Sequence, residues 1–170
     1  MSRVRPSFLN TFAAAAVAAF CLSAPTPSYA QTLPSQERMC DPSWQDCRAD
    51  LLKYIKQETV GIDAAFWFMN DDRYVSAIIL RWQAGVPVRL LVDPRCNENH
   101  STCTAALDKF KAAGVPMRYR ATSGILHWKT MLFAGQGQLE FSGANYGSFE
   151  FVPEIPYVNY TDEIVYYTDD

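Results

Sequence analysis

Residues 62–92 read IDAAFWFMNDDRYVSAIILRWQAGVPVRLLV, and this stretch decides the fold class. It begins with Ile62–Met69, a compact apolar and aromatic run typical of a strand buried on both faces. Apolar residues then recur at helical spacing as far as Trp82, and Gly85 ends the pattern. A second apolar run of strand length, Val86–Val92, follows. A strand, a helix and a strand joined by short turns predict a right-handed parallel βαβ unit.

The flanking segments extend the same alternation. Apolar residues between Leu51 and Thr59 fall on one helical face, and Gly61 ends this predicted helix. On the other side, Thr104–Ala113 predicts a helix and Val115–Arg120 a third strand. Three further strands are expected: His127–Phe133, Gln138–Ser142 and Glu163–Thr168, the first two joined by a Gly-Gln-Gly turn. The predicted fold class is therefore α/β, a mixed sheet flanked by helices.

The N-terminal residues 1–30 read as a signal peptide. Arg3 and Arg5 precede an apolar run that is shorter than the roughly 20 residues of a spanning helix, and Ser28-Tyr29-Ala30 offers small residues for cleavage. We expect cleavage and a secreted or periplasmic protein without a transmembrane segment; an uncleaved anchor is the alternative. The rest divides into an N-terminal disulfide-pinned segment, 31–48, and one domain, 49–170. That domain stops directly after an apolar strand, so we expect that it continues beyond residue 170.

Four cysteines follow the predicted signal: Cys40, Cys47, Cys96 and Cys103. An even number in an exported chain predicts two disulfides. Each of Cys40/Cys47 and Cys96/Cys103 brackets a short polar loop, which favours local pairing among the three possible pairings. Their spacing does not fit a zinc site, and free buried thiols are the alternative.

Composition indicates a globular domain with a mildly acidic surface. The 170 residues are 49% hydrophobic and 19% charged, with a formal net charge of −3. This charge argues against a protein that coats nucleic acid through charge alone, although a local basic site remains compatible with it.

The sequence around His127, one of two histidines, is the most informative for chemistry. Side chains alternate on a strand, so His127 and Lys129 are expected on one face, about 7 Å apart, with Trp128 pointing away. Asn145 follows a short hairpin back and would arrive beside them. The small residues before it allow backbone N–H groups to approach an oxyanion. A structural histidine, a solvated lysine and a turn asparagine are the alternative interpretation of the same residues.

This ordered series resembles the phospholipase D superfamily, whose signature is His-x-Lys, four residues, Asp, then a Gly-Ser-x-Asn turn. His127, Lys129 and Asn145 match, and Ser142-Gly143-Ala144-Asn145 is similar to the turn with Gly and Ser exchanged. The resemblance covers roughly residues 50–170. Ala134 stands where the signature has Asp, which leaves a catalytically silent binding module as an alternative.

The resemblance implies a two-step phosphodiester cleavage without a metal or other cofactor. His127 would form a phosphohistidine, Lys129 and Asn145 would bind the phosphate oxygens, and Ser142 and Gly143 would contact the substrate. Glu163, or Asp162 beside it, would hold the imidazole in its useful tautomer.

The implied chemistry needs a second histidine, because His100 lacks a lysine at the right spacing. It would come from a second copy in a homodimer or from a missing C-terminal half. A phospholipid head-group ester is the first expected substrate, with a non-specific endonuclease of the same superfamily as the alternative.

Three other groups of residues have structural interpretations. The run Phe66-Trp67-Phe68 is expected in the core, and the Asp71-Asp72 pair as a helix cap. Arg118 and Arg120 either line an anionic groove or form a solvated face.

Overall fold

A computed structural model of the chain describes residues 38–96, 101–121, 123–153 and 163–169. These residues belong to one compact unit, Leu33–Asp170. The predicted signal peptide, His100 and Asp162 lie outside the described residues.

The described residues contain helices and strands in alternation, followed by strands alone. The helices are α1 (Cys47–Gln57), α2 (Asp72–Gln83) and α3 (Ser101–Ala112). The strands are β1 (Arg38–Cys40), β2 (Ile62–Phe66), β3 (Val88–Val92), β4 (Met117–Tyr119), β5 (Lys129–Phe133), β6 (Gln138–Ser142) and β7 (Val165–Thr168). They form one seven-stranded sheet in the order β1-β7-β6-β5-β2-β3-β4.

The sheet is mixed, as predicted. Strands β2, β3 and β4 run parallel, with α2 and α3 as their crossovers. Strand β5 pairs antiparallel with β2 and starts the antiparallel half, β5-β6-β7-β1. Successive parallel crossovers in one direction place α2 and α3 on the same face, and α1 packs against α2.

The core lies between these helices and one face of the sheet. Phe66, Leu90 and Phe133 are buried there against Leu51, Ile78 and Phe110 of the helices. Among the described residues, the opposite face is more open: Leu132 and Phe141 are 40% and 46% exposed. The expectation that the first strand is buried on both faces is therefore wrong for Asp63, which is half-buried and pairs with Arg89 on the open face.

Two boundaries differ from the predictions in ways that concern the site. The strand expected from His127 begins at Lys129, because the ladder to β2 starts at the pair Lys129–Phe66. Within the N-terminal disulfide-pinned segment 31–48, for which no strand was predicted, Arg38–Cys40 pairs with β7 as an edge strand of the sheet. A three-residue strand carries too little alternation to be recognised in a sequence.

Candidate active site

The candidate residues lie at one end of the sheet, where four central strands begin or end. The register pairs Phe66, the last residue of β2, with Lys129, the first residue of β5. At the same end, Ser142 of β6 pairs with Val165 of β7. The strand ends therefore bring the segments that carry His127, Asn145 and Glu163 to a common edge.

His127 and Lys129 are in direct contact. The Lys129 ammonium nitrogen lies 3.2 Å from His127 Nδ1 and 3.0 Å from Nε2. The lysine is only 4% exposed, whereas the histidine is exposed. The pair thus combines an accessible imidazole with a cation fixed beneath it, although His127 lies just outside the regular strand.

Trp67 supports the imidazole from the side. Its ring centroid lies 5.0 Å from that of His127, with the planes tilted by 51°. The backbone N–H of Trp67 donates to the carbonyl of Trp128, 3.1 Å away, so the two segments are joined here. Trp67 was predicted as core, but it is half-buried at the edge of the candidate site. Trp128, on the other side of the chain, is 62% exposed.

The backbone that leads into His127 is held by a buried acid. Asp93 is fully buried at the end of β3, and its Oδ2 accepts a hydrogen bond of 2.6 Å from the Leu126 N–H. Arg120 Nη2 donates to the carbonyl of Ser123 at 2.8 Å in the same loop. These contacts fix the approach of the chain to His127.

The Ser142–Asn145 turn is a compact loop at the end of β6. Ser142 Oγ donates to the carbonyl of Ala144 at 3.0 Å, and the Gly143 N–H donates to the carbonyl of Ile164 at 3.2 Å. The expected approach of turn N–H groups to an oxyanion does not apply to Gly143, because its N–H already extends the pairing between β6 and β7. The turn, in which Gly and Ser are exchanged relative to the signature, is thus stabilised by the hydrogen bonds of Ser142 and Gly143.

Asn145 is placed by the buried residue that follows it. The Tyr146 N–H donates to the carbonyl of Phe68, and the Tyr146 carbonyl accepts from the N–H groups of Asn70 and Asp71. The segment after β2 therefore borders both His127, through Trp67, and Asn145. Asn145 is half-buried, and its Oδ1 has no hydrogen-bond partner among the described residues.

Glu163 lies against the same turn. A methyl group added at Gly143 would overlap its carboxylate, so a larger residue there would displace the Glu163 side chain. The expected hydrogen bond between Glu163 and His127 is not among those of the described residues. Its carboxylate instead acts on Lys129: burial lowers the pKa of Lys129, and the negative charge of Glu163 partly offsets this effect.

Ala134, which replaces the Asp of the signature, lies at the opposite end of β5 from His127. There the Glu58 carboxylate accepts hydrogen bonds from the backbone N–H groups of Val60, Gly61 and Gly135 at 2.7, 3.1 and 2.9 Å. Gln136 Nε2 donates to its other oxygen at 3.1 Å. The acid that directly follows α1 thus satisfies the turn after β5, where the signature Asp is missing.

The remaining sequence interpretations concern surfaces and covalent links. Asp71 caps α2, with its side chain accepting from the Arg73 N–H. Arg118 is exposed beside an approximately 610 Å³ depression on the open sheet face, away from His127. Disulfides join Cys40 to Cys47 and Cys96 to Cys103, the local pairs that the spacing favoured.

Sequence reasoning missed Trp67, Asp93 and Tyr146 as neighbours of the site. Asp93 directly follows the predicted strand Val86–Val92, a position at which side chains of such sheets border a crevice, and that position was the available signal. Trp67 had no such signal, because the predicted strand ran on to Met69 and only the observed β2 ends at Phe66. Tyr146 had no signal beyond its place next to Asn145.

Comparisons with known proteins concern the family and the fold of the chain. Residues 51–165 match the family described as "Cardiolipin synthase, PLD-like domain". No curated protein sequence gives a significant match.

Several solved structures are similar in fold. Nuc from Salmonella typhimurium, described as a phospholipase D family member, is 18% identical, with 79% of this chain and 82% of that one covered and a TM-score of 0.65. NucT from Helicobacter pylori is 17% identical, with 80% and 86% covered and a TM-score of 0.64. Phosphatidylserine synthase from Haemophilus influenzae is 10% identical, with 79% of this chain but 34% of that one covered and a TM-score of 0.56.

Proposed function

The chain belongs to the family of PLD-like domains, and from that premise we propose that it is a phosphodiesterase whose nucleophile is His127. The observation that carries the proposal is the contact of 3.0 Å between the buried Lys129 ammonium and the ring of the exposed His127. An ammonium beside an accessible imidazole attracts a phosphate group to the atom that would attack it.

The reaction proceeds in two displacements at phosphorus. An unprotonated ring nitrogen of His127 forms a bond to phosphorus while the ester oxygen leaves and takes a proton from a second histidine. Water then attacks the phosphohistidine and gives its proton to that second histidine, which restores both rings. Lys129 and the Asn145 amide offset the charge that builds on the non-bridging oxygens.

Glu163 favours the charged form of Lys129 in the proposed site. Burial lowers the pKa of Lys129, and the negative charge of Glu163 opposes this shift and so favours the ammonium form. Ser142 and Gly143 shape the turn that presents Asn145 to the substrate. An orienting contact between Glu163 and the imidazole remains a prediction for the substrate-bound state.

A nucleic acid strand is the substrate class that we favour, with a phospholipid head-group ester as the second candidate. The chain spans 82% and 86% of Nuc and NucT but only 34% of phosphatidylserine synthase, so its size matches the compact members. The exposed His127 suits the phosphodiester of a polymer, which must be reached from outside.

The second histidine is best supplied by another copy of the chain. Among the described residues His127 is the one histidine, so a symmetric dimer would place two copies of it across a two-fold axis. We further propose that the protein is exported, which suits its two disulfides. Within the described residues, none of the helices combines the length and hydrophobicity that a membrane crossing needs.

The test is hydrolysis in EDTA of three substrates: a chromogenic phosphodiester, plasmid DNA and phosphatidylcholine vesicles. We expect cleavage of the chromogenic ester and of DNA, and a fall of several orders of magnitude in kcat for His127→Ala. His100→Ala is the matched control and should retain activity.

Full activity of His127→Ala would remove that residue from the mechanism. Cleavage of vesicles but not DNA would select the phospholipid. A folded protein that cleaves none of the three would be a silent binding module.

A further inference from the structure

Glu140 is a buried acid that the proposed mechanism does not use. It lies on β6, two residues before Ser142, and is fully buried on the helix-covered side of the sheet. The Tyr146 hydroxyl donates a hydrogen bond of 2.6 Å to its Oε2. A carboxyl group in this position is costly unless its contacts compensate for the loss of water.

Tyr146 is fixed at both its side chain and its backbone. Besides the bond to Glu140, its ring packs edge-on against Phe66 and Tyr74. Its backbone N–H and carbonyl are both bonded to the segment after β2, and it forms a bridge with Met69. These contacts restrict the backbone conformation of Asn145, which directly precedes Tyr146.

We propose that Glu140 is a positioning residue for the reaction: through the Tyr146 hydroxyl it holds the turn that aims the Asn145 amide at the phosphate. This inference rests on the proposed function for its consequence in catalysis, and on the contact between Glu140 and Tyr146 for its geometry. Asn145 fits the role of the positioned group because its amide NH2 can donate to a phosphate oxygen. Its Oδ1 makes no hydrogen bond to the described residues, so the backbone of the turn sets the direction of the side chain.

The protonation of Glu140 supports the same assignment. Burial raises the pKa of Glu140 to about 8, so the neutral acid predominates at neutral pH. The titratable groups that face it are Tyr146 after β6, Tyr74 of α2 and Tyr167 of β7, and burial raises the pKa of each. Apolar Met131 lies opposite on β5. Hydrogen bonds from Tyr146, from Ser142 and from the Met131 backbone favour the charged form, but burial outweighs them. Ionisation above about pH 8 therefore creates a charge that is only partly compensated, and we expect the turn to loosen.

The test combines kinetics with a double-mutant cycle. We expect Tyr146→Phe to lower kcat about tenfold and to change KM little, because Asn145 acts mainly on charge that develops in the transition state. In an Asn145→Ala background, Tyr146→Phe should cause no further loss. Tyr74→Phe is the matched control: its hydroxyl also faces Glu140 but is unpartnered among the described residues, and kcat should stay unchanged.

Variants of Glu140 test the pH dependence. We expect Glu140→Leu to lose about as much kcat as Tyr146→Phe, and Glu140→Gln, which keeps an acceptor oxygen, to restore most of it. Wild-type kcat should fall reversibly above about pH 8, and Glu140→Gln should lack this fall. A merely structural role would lower stability in these variants without removing the alkaline limb.

A readout without turnover separates this inference from the proposed function. The side-chain amide signals of Asn145 in a ¹⁵N–¹H NMR spectrum should move in Tyr146→Phe and stay in place in Tyr74→Phe. Movement in a protein that cleaves no substrate would retain the positioning and reject the phosphodiesterase. An unmoved amide, or an equal loss of kcat with and without Asn145, would reject the positioning role.

Discussion

The spacing of two residues in the sequence predicts whether their side chains share a face of a strand, but it does not predict how deeply they are buried or which distant residues they contact. The interval between His127 and Lys129 predicted a shared face, and the structure places the two side chains in contact. The interval alone did not reveal that Lys129 is buried, because its burial comes from the packing of β5 between β2 and β6. Nor did it reveal Trp67, which is distant in sequence and meets His127 only when the sheet forms.

Glu58 illustrates a residue whose role depends wholly on tertiary structure. Burial works to raise the pKa of Glu58, but hydrogen bonds from Val60, Gly61, Gly135 and the Gln136 amide outweigh this effect and lower it below 4.5. A carboxyl group with a lowered folded-state pKa contributes stability above its unfolded pKa and loses it as pH falls through the folded value. The hydrogen bonds that Glu58 accepts are thus expected to weaken only in acid.

Glu58→Gln should lower the free energy of unfolding by about 1–3 kcal/mol at pH 7, because the backbone N–H groups lose a charged acceptor. Urea denaturation at several pH values measures this, and the difference from wild type should shrink as pH falls below 4.5. Asp108→Asn removes an exposed carboxylate and serves as control. A difference that persists unchanged in acid would contradict the role of the charge.

At the scale of elements, the parallel half followed closely from the sequence, whereas the edges did not. Gly85 and Gly114, both with positive φ, end α2 and the turn after α3 where the sequence indicated. Strand β1 was missed because only its pairing with β7 and its disulfide to α1 identify it. The order of the strands in the sheet likewise could not be predicted, since it depends on contacts between residues far apart in the chain.

The Cys40–Cys47 disulfide holds this edge strand to the start of α1. Replacing both cysteines by serine should lower the free energy of unfolding by about 2–3 kcal/mol, as measured by urea denaturation without reductant. Mass spectrometry of an unreduced digest should find Cys40 linked to Cys47 and Cys96 linked to Cys103. A link between the two pairs would contradict the local arrangement.

At the scale of the whole molecule, the described residues include one histidine, whereas the mechanism that we propose needs two. The fold of one PLD-like unit is evident in the sequence, because the family match spans residues 51–165. The way in which two units would associate cannot be predicted from the sequence, because the residues of an interface do not recur at a regular spacing.

Subunit mixing tests the proposed dimer. If each site needs His127 from both copies, then activity after exchange with His127→Ala should fall with the square of the wild-type fraction. Mixing with the matched His100→Ala variant should leave activity unchanged. A linear fall would show that each chain works alone, and sedimentation analysis would then be expected to find monomers.

The two ends of β5 have separate roles, which has a consequence for the effects of substitutions along this strand. The proposed chemistry lies at the Lys129 end of the strand, whereas at the Phe133 end Glu58 accepts a hydrogen bond from the Gly135 N–H in the turn beside Ala134. A substitution near Phe133 is therefore expected to change the stability of the turn, whereas a substitution near Lys129 is expected to change the proposed chemistry. A degenerate signature in such a chain is better judged by which end of the strand has changed than by how many letters still agree.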